Sequence, residues 1–214
     1  MNMDNIVTTQ WSKMSIKKKK KKVPTAMFIM GLPASGKSTV INYVVDEILE
    51  ENMEDYLHID PDIFMKHLET YRNENAKDFN RMGVIISSKI MKKLYDTDSR
   101  YDFIYFGTGK NWEQYRTAIN KAKKNGYFTV LVYVHVSREE SKSRTGKRSK
   151  KGNNRRVIDN SVINKIHNSL TKKQEKGKYM GKNNYEILKS LKTLDYYIKF
   201  DNSKEKPVVI EYSG

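Results

Sequence analysis

The sequence predicts an α/β fold: a parallel sheet of about five strands with helices on both faces and a basic lid. Three observations carry that expectation. Short apolar runs alternate along the chain with segments of helical spacing, as in strands joined by helical crossovers. The first apolar run, Ala26 to Met30, feeds directly into the glycine-bearing stretch GLPASGKST. After the longest strand-like run comes an arginine-dense segment interrupted by Gly146, Gly152, Asn153 and Asn154.

Met1 to Val23 ends in the lysine run Lys17 to Lys22 and is expected to be a disordered or loosely attached basic arm, leaving residues 24–214 as one domain. Strand one covers about 26–30, and a helix follows from 38 to about 51 on the spacing of Val40, Tyr43, Val44 and Ile48. A short strand, Tyr56 to Ile59, leads into a helix beginning near Asp62. Asp78 to Tyr95 reads as a long amphipathic helix on Phe79, Met82, Ile85, Ile86, Ile90 and Leu94. Tyr101 to Phe106 is a strand, Trp112 to Lys124 a helix, and Tyr127 to Val136 the longest strand. Ser161 to Gln174 and Asn184 to Lys192 read as helices, Tyr196 to Phe200 as the last core strand, and Pro207 to Tyr212 as an added edge strand.

Composition bounds the function. With 214 residues, 37% of them hydrophobic, the chain can bury one core. No apolar run approaches the roughly eighteen residues of a membrane span, and Met1 to Gln10 lacks the apolar stretch of a secretion signal. A cytoplasmic location is therefore expected, or a nuclear one for the lysine run in a eukaryotic host. Zero cysteines exclude disulfides, thiolate metal sites and cysteine catalysis.

The glycine-bearing stretch points to chemistry. Gly31, Gly36, Lys37 and Ser38 complete G-x-x-x-x-G-K-[ST], the phosphate-cradling P-loop. The glycines let the backbone turn several N–H groups onto one anion, with Ala34, Ser35 and Thr39 inside the same cradle. Lys37 supplies a mobile positive charge for the outer phosphates, and the Ser38 hydroxyl is a hard oxygen ligand for Mg²⁺. ATP and Mg²⁺ are the cofactors expected.

Charge is distributed unevenly. Residues 1–100 hold 16 basic and 14 acidic side chains, and residues 101–214 hold 25 and 11, a net of +2 against +14. The positive half suits an anionic partner such as a nucleotide, a sugar phosphate or a nucleic acid. A genome poor in G and C would give the same lysines, since the chain has 32 Lys, 9 Arg and 18 Asn. The arginines escape that explanation: Arg138, Arg144, Arg148, Arg155 and Arg156 fall in SREESKSRTGKRSKKGNNRR. Their planar forks grip phosphate oxygens, and the intervening Gly and Asn residues predict a mobile loop that closes over ATP.

Two further candidates lie where parallel strands end, the edge at which such sheets hold ligands. In LHIDPDIF, Asp60 can cap a helix whose first residue is Pro61, while Asp62 sits in the first turn. Phosphoryl transfer to a hydroxyl needs a carboxylate to orient it and take its proton, and Asp62 is the candidate. In FGTGKN, Thr108 and Lys110 sit on a turn at the same edge, Lys110 toward an acceptor's phosphate; Asn111 as a simple helix cap is the alternative.

In order, GLPASGKST, the D-x-D pair of LHIDPDIF, FGTGKN, NGYFTVLVYVHV, SREESKSRTGKR, NNRRVIDNSVI and YYIKFDNS resemble the zeta-toxin family of P-loop kinases from about Ala26 to Ser203. The resemblance implies ATP-dependent phosphorylation of a hydroxyl, with UDP-N-acetylhexosamines as the acceptors best known for the family. It implies Lys37 and Ser38 at the phosphates and Mg²⁺, Asp62 as base, and Lys110 near the acceptor, with Asp60 and Thr108 as further candidate substrate-binding residues at that edge. Arg148 and Arg156 would be the lid arginines, with Arg144 and Arg155 beside them. An inhibitory protein partner, invisible in the sequence, is a further implication. This chain departs from the family at Phe106, where an acid is usual before the G-T turn, and at Met65, where a basic residue is usual. The sequence is also similar to phage polynucleotide 5′-hydroxyl kinases over the P-loop, the D-x-D region and the lid. A nucleic-acid-binding protein on a degenerate P-loop fold is the non-enzymatic alternative.

Overall fold

Thr25–Gly31 forms β1, and all seven residues are buried, because both faces of this strand are covered. Side-chain alternation divides it: Ala26, Phe28 and Met30 enter one core, Met27 and Ile29 the other. The computed structural model describes residues 3–72, 76–96, 100–150, 158–204 and 206–213. Around β1 lie β2 (Leu57–Ile59), β3 (Phe103–Phe106), β4 (Phe128–His135), β5 (Tyr196–Asp201) and β6 (Val208–Tyr212), in the spatial order β2-β3-β1-β4-β5-β6. The first five pair in parallel and β6 joins antiparallel, so the sheet has six strands and the expected edge strand is one of them.

Helices cover both faces. On one side α2 (Lys37–Tyr43) and the π-helical turn Val44–Ile48 bury Val40, Ile41, Val44 and Val45 against β1 and β4. On the other lie α4 (Ala76–Asp96), α5 (Trp112–Lys124), α7 (Asn160–Thr171) and α8 (Asn184–Lys189), whose Ile86, Ile90, Ile119, Ile166 and Leu188 fill the larger core. The short α3 (Pro61–Met65) bridges β2 to α4. No helix among the described residues is long and apolar enough to cross a membrane.

Two expectations are overturned. The N-terminal segment is not a loose arm: Met3–Ser15 is a helix, α1, with Ile6 and Val7 in the core and contacts to α4 and β2. The lysine run behind it is tied down too. Lys21 Nζ reaches the buried Asp102 carboxylate at 2.7 Å and Glu51 at 2.5 Å, and Lys18 donates to the Glu54 and Tyr56 carbonyls. Low local hydropathy hid a helix that docks through Ile6 and Val7, with Met3, Trp11 and Met14 packed beside them. The arginine-dense segment, expected as a mobile loop, is helical over Arg138–Lys150 (α6). An i,i+4 pair between Glu140 and Arg144 at 2.6 Å supports it, and Gly146 faces open space.

Candidate active site

The P-loop joins β1 to α2. Gly36 takes φ 85°, and a Cβ there would overlap the Asn202 amide; a Cβ at Gly31 would strike the Val134 carbonyl. Only glycine fits either position. Around this turn two buried side chains hold carbonyls of the loop, and a backbone bond ties the loop to a neighbouring turn. Asn202 Nδ2 donates to Ser35 O at 2.7 Å, and Ser141 Oγ donates to Pro33 O at 2.7 Å. Gly31 N donates to Thr108 O at 3.3 Å, fastening the P-loop to the turn after β3. With its carbonyls engaged elsewhere, the loop can turn its N–H groups inward as an anion cradle.

Lys37 folds back across the loop, Nζ donating to Leu32 O at 2.8 Å and Gly31 O at 3.1 Å. Burial lowers its ammonium to about 8; the Asp60 and Asp62 carboxylates oppose that lowering, and the Arg148 charge adds to it. Asp60 is half-buried and caps α3 through a bond from Asp62 N to its Oδ1 at 2.8 Å, as expected for this sequence. Burial and then the neighbouring Asp62 carboxylate push its carboxyl up to about 6, against the pull of the Asp62 amide, Lys37 and Lys66. Asp62 is exposed on the first turn of α3. These couplings gather Lys37, Asp60, Asp62 and Arg148 into one cluster at the carboxyl edge of the sheet. Ser38 and Thr39 are exposed on the first turn of α2, beside Lys37. The oxygen donors present, the Ser38 hydroxyl and two carboxylates, are hard ligands of the type Mg²⁺ takes.

Beside the cluster, the turn after β3 carries Thr108, whose Oγ1 accepts from Lys110 N at 3.3 Å, and an exposed Lys110. Asn111 caps α5 through Gln114 N at 3.1 Å. Phe106 is half-buried against the His58 ring, 5.7 Å between centroids, so this edge is apolar where an acid is usual. Met65 is fully buried, which explains a thioether in place of a cation. Ala34, with φ 55°, and the buried Ser35 complete the cradle.

The lid arginines separate. Arg148 is exposed, and its charge acts on Lys37. Arg144 binds the Glu140 carboxylate at 2.6 Å and the Asn202 carbonyl at 2.8 Å, bracing the residue that braces the P-loop. Arg155 and Arg156 lie outside the described residues. Three contributors escaped sequence reasoning. Asn202 stands in the D-N-S run after β5, a signal that could have marked it. Ser141 had none. Asn184, 2% exposed, donates to the Gly109 and Lys110 carbonyls at 2.9 and 3.0 Å; at sequence level it is just the start of a helix.

Comparison with known proteins agrees with this geometry. The family model for zeta toxins matches residues 9–185. Among solved structures, one from the PezAT chromosomal toxin–antitoxin system of Streptococcus pneumoniae superposes with a TM-score of 0.70 at 16% identity, covering 96% of this chain and 80% of that one. AvrRxo1-ORF1:-ORF2 with ATP gives 0.70 at 13% identity over 98% of this chain and 65% of that one. The Pnkp1/Rnl/Hen1 RNA repair complex gives 0.53 at 18% identity over 83% of this chain and 53% of its counterpart, so this chain spans less than two thirds of those last two. At such identities the likeness speaks for the fold. No curated protein matches. A family match over most of the chain, on a sheet whose P-loop, paired aspartates and G-T turn meet at one edge, settles the assignment: the chain belongs to the zeta-toxin family of P-loop kinases.

Proposed function

We propose that this protein transfers the γ-phosphoryl group of ATP to a hydroxyl of a phosphate-bearing acceptor, with a UDP-N-acetylhexosamine as first choice. The observation that carries the reading is the P-loop turn after β1 lying at the same sheet edge as the Asp60–Asp62 turn after β2. A phosphate cradle, a base and a second cation there serve one reaction. Asp62 accepts the proton of the acceptor hydroxyl as its oxygen bonds to the γ-phosphorus. The bond from that phosphorus to the β–γ bridging oxygen breaks, and ADP leaves. Lys37 moves from the Leu32 and Gly31 carbonyls to the outer phosphates; Arg148, joined by Arg155 and Arg156, holds the transferring group. Mg²⁺ held by the Ser38 hydroxyl and the phosphates would neutralise charge on the leaving side. Thr108 and Lys110 face the acceptor, with Asp60 fixing the α3 turn that presents Asp62.

A polynucleotide 5′-hydroxyl acceptor is a second reading, favoured by the stretch 172–183, in which five of twelve residues are lysine. The relatives come from a toxin–antitoxin system and a two-protein complex, which supports an inhibitory partner protein here as well. Incubation with γ-labelled ATP and a panel of sugar nucleotides and 5′-hydroxyl oligonucleotides tests both readings. Label should pass to the sugar nucleotides; label on the oligonucleotides alone would replace the first reading by the second. No transfer, together with tight salt-dependent nucleic-acid binding, would leave a binding protein on this fold.

A further inference from the structure

Next to the acceptor edge lies a groove of about 750 Å³ whose walls include Lys110, Asn111, Trp112, Lys172, Lys173 and Lys176. Its size suits a small-molecule moiety, for which sites run roughly 300–1,000 Å³. Lysines on a free tail would mean little, but these are built in. The segment from 172 to 183 closes on itself, Gln174 N donating to Lys182 O at 3.0 Å and Gly181 N to Gln174 O at 2.9 Å. Tyr179, on the same segment, packs edge-on against Trp112 at 5.1 Å, and the Arg116 guanidinium lies 5.0 Å over the Trp112 ring. At the opposite wall, buried Asn184 holds the Gly109 and Lys110 carbonyls, so the backbone that roots Lys110 is fixed to α8. The groove is therefore continuous with the G-T turn.

Its electrostatics are one-sided. Four ammonium groups face two carboxylates, Glu113 and Glu175, and Glu175 is paired with Lys172 at 2.9 Å. Apart from Lys110, which the proposed transfer already sets toward the acceptor, nothing in that reaction uses this charge. A net positive groove opening from the acceptor turn fits linked phosphates that the acceptor carries away from its reacting hydroxyl. We infer that the groove of Lys110, Lys172, Lys173 and Lys176 is a binding site for the acceptor's phosphate chain. The chemistry is shared by the diphosphate bridge of a sugar nucleotide and the phosphodiester backbone of a single strand. The inference deepens the acceptor side of the kinase reading, and its test needs no turnover, so the two can fail separately.

The test is equilibrium binding of inorganic tripolyphosphate, UDP-N-acetylglucosamine and a 5′-hydroxyl oligonucleotide to the full chain, with the P-loop saturated by a non-hydrolysable ATP analogue. The triple variant Lys172→Gln/Lys173→Gln/Lys176→Gln should weaken tripolyphosphate binding by about tenfold or more, a few tenths to one kcal/mol per lost contact. Lys178→Gln/Lys182→Gln, on the same segment but outside the groove, should change it far less. Equal losses in the two variants would overturn the site in favour of diffuse charge, and an unchanged affinity in the first would overturn it outright. Salt dependence separates the sources. If a single strand is the natural acceptor, the triple variant should lose about two units of log–log slope, at roughly 0.7 per phosphate contact. If a diphosphate-linked acceptor is, UDP-N-acetylglucosamine should weaken with the tripolyphosphate while the oligonucleotide slope stays shallow.

Discussion

The nucleotide side and the acceptor side of this site are built by different means. On the proposed nucleotide side the backbone forms the cradle: Gly31 and Gly36 admit no side chain, and Asn202 and Ser141 hold the Ser35 and Pro33 carbonyls from buried positions. On the proposed acceptor side the candidate groups are exposed side chains, Asp62 on a helix of five residues and Lys110 on a turn. A backbone cradle tolerates few sequences and serves any nucleoside triphosphate. Exposed side chains on short elements can be exchanged without disturbing the sheet.

The largest expected effect tests the nucleotide side. Lys37→Ala should lower turnover by about 10³-fold or more, because a charge aimed at the transferring phosphates is lost. The fold should survive, since Lys37 bonds only to carbonyls of its own loop. Circular dichroism and a thermal melt check the fold; wild-type turnover in a folded variant would remove the kinase mechanism.

On the acceptor side, Asp62→Asn should cut turnover by roughly 10²-fold with nucleotide affinity nearly unchanged, as loss of a general base does. Asp60→Asn should retain activity, because Asn caps a helix about as well as Asp. Steady-state kinetics of the two variants decide between the carboxylates. A reversed outcome would make Asp60, whose carboxyl stands at about 6, the base.

A pH profile separates the two sides further. Lys37 in the nucleotide-free protein titrates at about 8, below its ordinary value, and phosphates bind its charged form. Nucleotide affinity should therefore be level at neutral pH and fall as pH rises through 8, by up to about tenfold per unit, since binding then takes up a proton. Burial lowers the lysine, so in stability terms its charge costs the folded state most below that value, and the cost fades as pH rises through it. Calorimetric titration in buffers of different ionisation enthalpy reads both affinity and proton uptake. A flat profile would mean that the carboxylates hold the lysine fully charged.

How much of this was legible in the sequence follows the same division. The P-loop, the Asp60 cap on Pro61 and the Asn111 cap on Trp112 were read correctly, because each depends on residues within a few positions of one another. The positions of the core strands and of the helices between them followed from apolar periodicity, which burial on both faces of β1 enforces. What escaped depends on distant partners. Asn202 meets Ser35 across 167 positions and Ser141 meets Pro33 across 108; neither pairing leaves a local pattern. Helix α1 was missed because its hold on the domain is tertiary: Ile6 and Val7 in the core, then Lys21 on Asp102. The arginine-dense segment misled through composition: its charges and Gly146 describe a loop where Arg138–Lys150 is a helix, while Gly152, Asn153 and Asn154 lie outside the described residues.

The smallest effects are the most discriminating, because two buried asparagines each hold one side. Asn202→Ala leaves the Ser35 carbonyl unpaired and should cost about 1–3 kcal/mol of stability. Asn184→Ala does the same to the Gly109 and Lys110 carbonyls, so both melts should fall and stability alone cannot tell the residues apart. Their kinetics should. With the Ser35 turn loosened, Asn202→Ala should raise the KM for ATP several-fold, up to about tenfold, and leave the acceptor KM near its starting value. With the root of Lys110 loosened, Asn184→Ala should raise the acceptor KM by a similar factor and spare ATP. Asparagine-to-aspartate at either position keeps the shape but replaces the amide donor by an acceptor facing a carbonyl, and should be worse than alanine on the same side. Crossed effects, ATP affinity lost on changing Asn184 or acceptor affinity lost on changing Asn202, would show that the bond from Gly31 N to Thr108 O welds the P-loop and the acceptor turn into one unit. The separation would then hold for the residues that touch each ligand but not for the scaffold beneath them.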